Sequence, residues 1–268
     1  METRDCPIGV FDSGVGGIGT LAALIRELPR ERFIYYGDML HAPYGTRTTG
    51  EVRELVSRVV DELEKDGIKA LVIACNTATG AAAAMLRAEK EYPVIGMEPA
   101  LKPAEEAWKG GKILVMATPL TLKQDKFLSL MDRFGAHAVP LPCPGLMELV
   151  EREDGEGARK YLEELFSRWP AEQVDAVVLG CTHYVFLRPM IRDMLPERIL
   201  ITDGNAGTAR QLRRVLAGRG ILRTDGEGST ELRTSGDERK LRPVMERLLR
   251  RAAEIAANPE GQRAGTGT

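Results

Sequence analysis

No apolar run in the sequence approaches the ~20 residues that a membrane-spanning helix needs. The first six residues are polar and lack the apolar stretch of a signal peptide. Charge of one sign is not in excess. The net charge is −2, and no face-long basic run appears, so a nucleic-acid partner has no support. Cysteine is scarce as well. Four in 268 residues, without an export signal, read as reduced thiols of a cytoplasmic protein rather than as a disulfide framework. What is present is ordinary for a globular chain, with 43% hydrophobic and 28% charged residues. A sizeable core and one or two domains of roughly 150 residues each are expected.

Short apolar runs alternate with helix-period stretches. Residues 8–11, 33–36, 70–74, 94–96, 113–117, 174–179 and 199–201 read as buried strands, and 231–234 as a weaker one. Leu21, Leu24, Ile25 and Leu28 form one helical stripe. Val52, Leu55, Val56, Val59 and Leu63 form another. A long helix is expected over 237–257, and a disordered polar tail over 258–268. The alternation predicts an α/β class with doubly wound parallel sheets covered by helices on both faces.

Two strand–turn units recur at nearly one offset. Ile8-Gly-Val-Phe-Asp-Ser13 resembles Ile113-Leu-Val-Met-Ala-Thr118, an offset of 105. Leu71-Val-Ile-Ala-Cys-Asn-Thr77 resembles Val177-Val-Leu-Gly-Cys-Thr-His183, an offset of 106. Any two parallel strands look somewhat alike, but a shared offset with a cysteine at the same place points to duplication. Two pseudo-symmetric domains are expected, with the active site between them. Residues at the carboxyl ends of parallel strands face the ligand crevice. Asp12, Ser13, Cys75, Asn76, Thr118, Cys181, Thr182 and His183 sit at such ends, so the two cysteines are expected to oppose each other.

Opposed thiols suit the inversion of a carbon that bears one weakly acidic hydrogen. One residue removes the proton from one face, and its twin returns a proton to the other. Each acts as base in one direction and as acid in the other. A free thiol has a pKa of about 8.5, so the site has to help. The helix that starts after Cys75 favours its thiolate. His183 is the candidate proton partner of Cys181, Asp12 that of Cys75, and Glu151 a further carboxylate. Plainer readings stand beside these. Asp12 and Glu151 read equally well as a helix cap and a solvated charge. Cys6 and Cys143 read as small buried hydrophobes, His137 as a histidine without a role, and His41 as at most a support behind the site. Cys181-Thr-His183 lacks the companion cysteines or histidines of a zinc site, so no metal is expected. A Cys75–Cys181 disulfide is not expected in a reducing compartment.

Gly14-Val-Gly16-Gly-Ile-Gly19 fits the dinucleotide fingerprint between a strand and a helix, with Asp38 ending the next strand. An NAD-dependent enzyme is therefore a rival reading. Against it, Asp12 precedes the glycines and would repel a pyrophosphate, and the second half keeps the cysteine but not the glycines. The glycines read instead as letting the Asp12–Ser13 backbone turn, leaving amide hydrogens free for a small anion.

Taken together, the motifs resemble those of cofactor-independent glutamate racemases. The matching runs are Gly9-Val-Phe-Asp-Ser-Gly-Val-Gly-Gly17, Asp38 with Pro43-Tyr-Gly45, and Leu71-Val-Ile-Ala-Cys-Asn-Thr-Ala-Thr79. Pro93-Val-Ile-Gly96 with Glu98-Pro99, Ala117-Thr-Pro with Thr121, Leu149-Val-Glu151 and Leu179-Gly-Cys-Thr-His-Tyr184 follow. The resemblance runs from about residue 8 to 203. No single motif is specific, but the two cysteine motifs with the Asp-Ser motif are.

The resemblance implies a first domain built from both ends of the chain, 1–97 plus 205–268, and a second from 98–204. It implies interconversion of L- and D-glutamate without a cofactor, with the D form supplied to peptidoglycan, and a homodimer as the assembly. Cys75 takes the proton from D-glutamate and Cys181 from L-glutamate, assisted by Asp12, His183 and Glu151. Asp12, Ser13, Asn76, Thr77, Thr118 and Thr182 match positions that hold the amine and α-carboxylate. Pro43, Tyr44 and Gly45 match the side-chain carboxylate pocket, and Thr121 completes the binding set. The chain departs from the family at Asp203-Gly-Asn205, where Asp-Ser-Gly is common, and at Met39-Leu40, where small and polar residues are common. An aspartate or other amino-acid racemase of the same superfamily is the alternative, with the Pro43-Tyr44-Gly45 turn favouring glutamate; a regulator that binds a protein partner through the same fold has no residue-level evidence for or against it.

Overall fold

The computed structural model of the protein describes residues 3–257. The tail expected over 258–268 lies outside the described residues. Among the described residues nine strands form two sheets, and every pairing is parallel. In the first sheet β1 (Ile8–Asp12) lies between β3 (Ala70–Ile73) and β2 (Arg32–Gly37). Beyond these lie β4 (Val94–Gly96) and β9 (Ser229–Thr234), giving the order β4-β3-β1-β2-β9. The second sheet uses β5 (Lys112–Ala117), β6 (Ala138–Pro142), β7 (Val174–Leu179) and β8 (Leu200–Asp203) in the order β6-β5-β7-β8. Reversed, that order is β8-β7-β5-β6, the same connectivity as β4-β3-β1-β2. The duplication expected from the offset is therefore present in the topology, with β9 added at one edge.

The central strands form because their residues can be buried on both faces. Every residue of β1 and β3 is buried. Successive side chains point to opposite faces, which splits β5 between two cores. Leu114 and Met116 join Val177 and Leu179 on one side. Ile113 and Val115 join Ala176 and Val178 on the other. The stripe predicted over 52–63 is fully buried on helix Thr49–Glu64, whose start is closed by a Thr48–Glu51 capping box. The long helix runs over Glu238–Ala257.

One strand is not foreseen from the sequence. β6 contains Pro140 and Pro142, both exposed, and only its Leu141 is buried. It pairs on one side only, the position at which a sheet tolerates proline.

Candidate active site

The two cysteines are presented by the same local device. The amide of Ala74 donates to the Phe11 carbonyl at 2.8 Å, and that of Gly180 donates to the Met116 carbonyl at 2.7 Å. Each bond extends the sheet by one residue past the strand and sets the next residue, Cys75 or Cys181, at its carboxyl end. Cys75 then caps helix Asn76–Glu89, and Cys181 precedes the 3-10 helix Thr182–Leu187. Both cysteines border one small cavity between the halves, together with Ser13, Gly45, Asn76, Thr77, Thr118, Thr182 and His183. Its volume is about 10 Å³, room for about one water. A far roomier cleft, about 900 Å³, lies by Arg87, Glu98 and Arg210 and contains neither thiol. Chemistry rather than volume selects the site.

On the Cys75 side, the sulfur accepts the Ala78 amide at 3.4 Å and lies 3.7 Å from the Ser13 hydroxyl. The helix N-terminus therefore favours the thiolate as expected. Burial and the nearby Asp12 carboxylate outweigh it, and the thiol is pushed up to about 12. Asp12 is fully buried. One oxygen accepts the Gly14 amide at 2.7 Å and a long contact from Ser13 at 3.4 Å. The other accepts the Thr182 hydroxyl from the opposite half at 2.9 Å. Burial raises the Asp12 pKa, with His183 acting against it. Asp12 meets Cys75 through Ser13.

On the Cys181 side, the sulfur lies 3.8 Å from Nδ1 of His183, whose Nε2 lies 2.9 Å from Oε1 of Glu151. Burial acts to lower the His183 pKa, but its bonds to Cys181 and Glu151 prevail and hold it well above the ordinary histidine value. Thus an imidazolium is favoured between a sulfur and a carboxylate. Glu151 ends helix Leu146–Glu151 and does not border the cavity.

The polar lining spans both halves. The hydroxyls of Thr77, Thr118 and Thr121 form a triangle with edges of 3.1, 2.9 and 2.9 Å. Thr118 also caps helix Pro119–Lys123. Asn76 is buried, and its Oδ1 has no partner, an expensive state unless a ligand donor fills it. Pro43 follows a cis bond from Ala42, and Gly45 packs against Thr118. Tyr44 is buried and does not border the cavity. Its hydroxyl donates to Oδ2 of Asp38 at 2.6 Å, and His41 lies 2.7 Å from the other Asp38 oxygen. Asp12, Pro43, Tyr44, Thr121 and Glu151 are thus not among the residues that border the cavity. Met147 and Gly180, which no sequence motif singles out, border the cavity directly.

The glycine loop has a different purpose from the one its fingerprint suggests. The Gly14 amide is already bonded to Asp12. A β-carbon on Gly16 would lie 2.5 Å from Nδ1 of His183 and 2.6 Å from the Thr182 hydroxyl. The face that would receive a pyrophosphate is thus covered by the second half. Asp38, which ends the next strand in that fingerprint, is engaged by Tyr44 and His41. The departures are accommodated: Asn205 accepts the Thr20 hydroxyl at 2.8 Å, and Leu40 is exposed. His137 stacks on Trp108. Cys143 is buried and is also pushed up to about 12 by burial and by Cys181. No described helix is long and apolar enough to cross a membrane.

Comparison with known proteins agrees with the motifs and the fold. Residues 19–212 match the family model described as Asp/Glu/Hydantoin racemase. A glutamate racemase of Clostridium botulinum is 48% identical over 229 residues, covering 84% of this chain and 89% of the relative. One of Clostridium perfringens is 42% identical over 254 residues, covering 92% and 98%. The solved glutamate racemase of Thermus thermophilus in complex with β-chloro-D-alanine superposes with a TM-score of 0.78 at 36% identity, covering 92% of this chain and 94% of the other. The chain belongs to the Asp/Glu/hydantoin racemase family.

Proposed function

We infer that the protein is a glutamate racemase, an isomerase that interconverts L- and D-glutamate by a two-thiol acid/base mechanism without a cofactor. One observation carries the reading: two cysteines from equivalent strand ends border a single cavity, one beside Ser13 and Asp12, the other beside His183 and Glu151. The relatives named above bear the glutamate racemase name, which favours glutamate over aspartate as the substrate.

In the direction from L-glutamate, the Cys181 thiolate takes the α-proton, and the Cys75 thiol delivers its own proton to the opposite face. The high proton affinity of Cys75 suits it to the waiting acid. From D-glutamate the roles reverse, with Ser13 and Asp12 as the route by which Cys75 loses its proton. His183, held by Glu151, stabilises the Cys181 thiolate as the cation beside it. The unpartnered Asn76 oxygen accepts from the substrate ammonium, with Asp12 supplying charge. The hydroxyls of Ser13, Thr77, Thr118, Thr121 and Thr182 and nearby backbone amides hold the carboxylates, with the Pro43-Tyr44-Gly45 turn forming the side-chain end. A cavity with room for about one water does not admit glutamate, so the halves part for binding and close for reaction. The reading assigns 1–97 with 205–268 to one domain and 98–204 to the other, in keeping with the strands of each sheet. It carries with it a cytoplasmic homodimer that supplies D-glutamate to peptidoglycan.

Purified protein incubated in D2O with either enantiomer, and nothing else added, tests the assignment. Each enantiomer yields the other, with deuterium at the α-carbon. Absence of exchange from both removes the function. Faster turnover of aspartate moves the substrate but not the chemistry.

A further inference from the structure

Helix Glu238–Ala257 follows β9 of the first sheet, yet it reaches the two segments that carry His183 and Glu151. Two arginines one turn apart make the connection. Arg251 donates to the Phe186 carbonyl at 3.0 Å, inside the 3-10 helix Thr182–Leu187 that carries His183. Arg247 donates to both carboxylate oxygens of Glu153 at 2.9 Å each, two residues past Glu151. Positions 247 and 251 share a helix face. Val150, adjacent to Glu151, packs against the same core cluster as Met245 and Leu248 of that helix.

Glu153 is unusual in its backbone. With φ of 54°, it is the one non-glycine residue of positive φ among the described residues. Its amide donates to Val150 at 3.1 Å, and that of Asp154 donates to Leu149 at 2.9 Å. This is the bond pair of a helix end whose left-handed residue is ordinarily glycine, because a β-carbon is disfavoured there. Glycine would close helix Leu146–Glu151 with less strain. It could not hold Arg247.

We propose that Arg247, Arg251 and Glu153 are positioning residues for the Cys181 half of the reaction, together splinting the two segments that bring Glu151 to His183 and His183 to Cys181. The proposal rests on the two-thiol racemase reading. None of the three borders the cavity. The Arg247–Glu153 pair is about half exposed, and such pairs add little to stability. Its leverage is on geometry, where displacements of an ångström weigh heavily on rate.

The test uses the full chain with Arg247→Ala, Arg251→Ala and Glu153→Gly, assayed with α-deuterated L- and D-glutamate. The equilibrium constant obliges kcat/KM to fall equally in both directions, here by roughly tenfold. The discriminating readout is the isotope effect on kcat/KM. It rises with L-glutamate and shrinks with D-glutamate, because transfer at Cys181 becomes the slower step. Arg247→Lys recovers part of the loss. Glu153→Gly relieves backbone strain, so a merely structural role predicts equal or higher thermal stability with unaltered isotope effects, a result that overturns the proposal. A parent protein that fails to racemise glutamate sinks the functional reading itself. A competent parent whose variants keep the parental isotope effects sinks only the splint.

Discussion

Gly16 backs directly onto His183: a β-carbon at position 16 would lie 2.5 Å from the imidazole Nδ1. That nitrogen is the one facing Cys181. The neighbour is a buried ring held at its far side by Glu151, so it cannot swing aside cheaply. Gly16→Ala is expected to destabilise the fold by about 1–3 kcal/mol through overpacking. It also lowers kcat by more than about tenfold through displacement of His183. Thermal melts and steady-state rates on the same preparation check both. Wild-type kcat in a folded Gly16→Ala protein would contradict the contact's importance.

Tyr44→Phe removes the 2.6 Å bond to Asp38 and leaves one oxygen of a buried carboxylate unpaired. The expected loss of stability is about 1–3 kcal/mol. Because the same residue shapes the Pro43–Gly45 turn against Thr118, the KM for glutamate rises more than kcat falls. Denaturant melts and Michaelis curves separate the two effects.

The raised Cys75 pKa has a definite sign in stability. The folded chain holds the thiol proton up to about 12, mainly through burial and then Asp12, whereas the unfolded thiol releases it near its ordinary value. The stabilising contribution is complete below that ordinary value and is lost as pH climbs toward about 12. Cys143, pushed up to about 12 as well, acts in the same sense. Urea midpoints are therefore expected to fall between pH 8 and about 11. Cys75→Ala should make the fall shallower, and adding Cys143→Ala should make it shallower still. An identical slope in all three proteins would refute the assignment.

His183 behaves oppositely to a carboxylate. Its folded pKa is raised against the effect of burial by Cys181 and Glu151. Its contribution is full below the ordinary histidine value and disappears as pH rises through the raised one. Glu151→Gln removes one of the two raising partners, so the imidazole titration moves to lower pH. With three histidines in the chain, proton NMR resolves it, using His183→Gln to assign the resonance.

The parts of this architecture that are legible in the sequence are those with local causes. Buried parallel strands appear as continuous apolar runs, and the cysteines stand one step beyond two of them. β6 is obscured by Pro140 and Pro142, although the 105-residue offset applied to 33–36 points to 138–141. The purpose of the glycine loop is only partly legible, because its Gly16–His183 contact joins segments far apart in the chain. The reach of Glu151 to His183 comes only through resemblance, since nothing local links residues 32 apart. The Arg247–Glu153 pair, separated by 94 residues, leaves no local signal at all.

The division of labour between the thiols is tested most directly by α-deuterium isotope effects on kcat/KM for Cys75→Ser and Cys181→Ser, each measured from both enantiomers. The account predicts mirror-image results. Cys75→Ser shows its larger effect with D-glutamate, and Cys181→Ser shows its larger effect with L-glutamate. The same pattern in both variants, or equal effects from the two enantiomers, would contradict a mechanism with one sulfur on each face of the substrate.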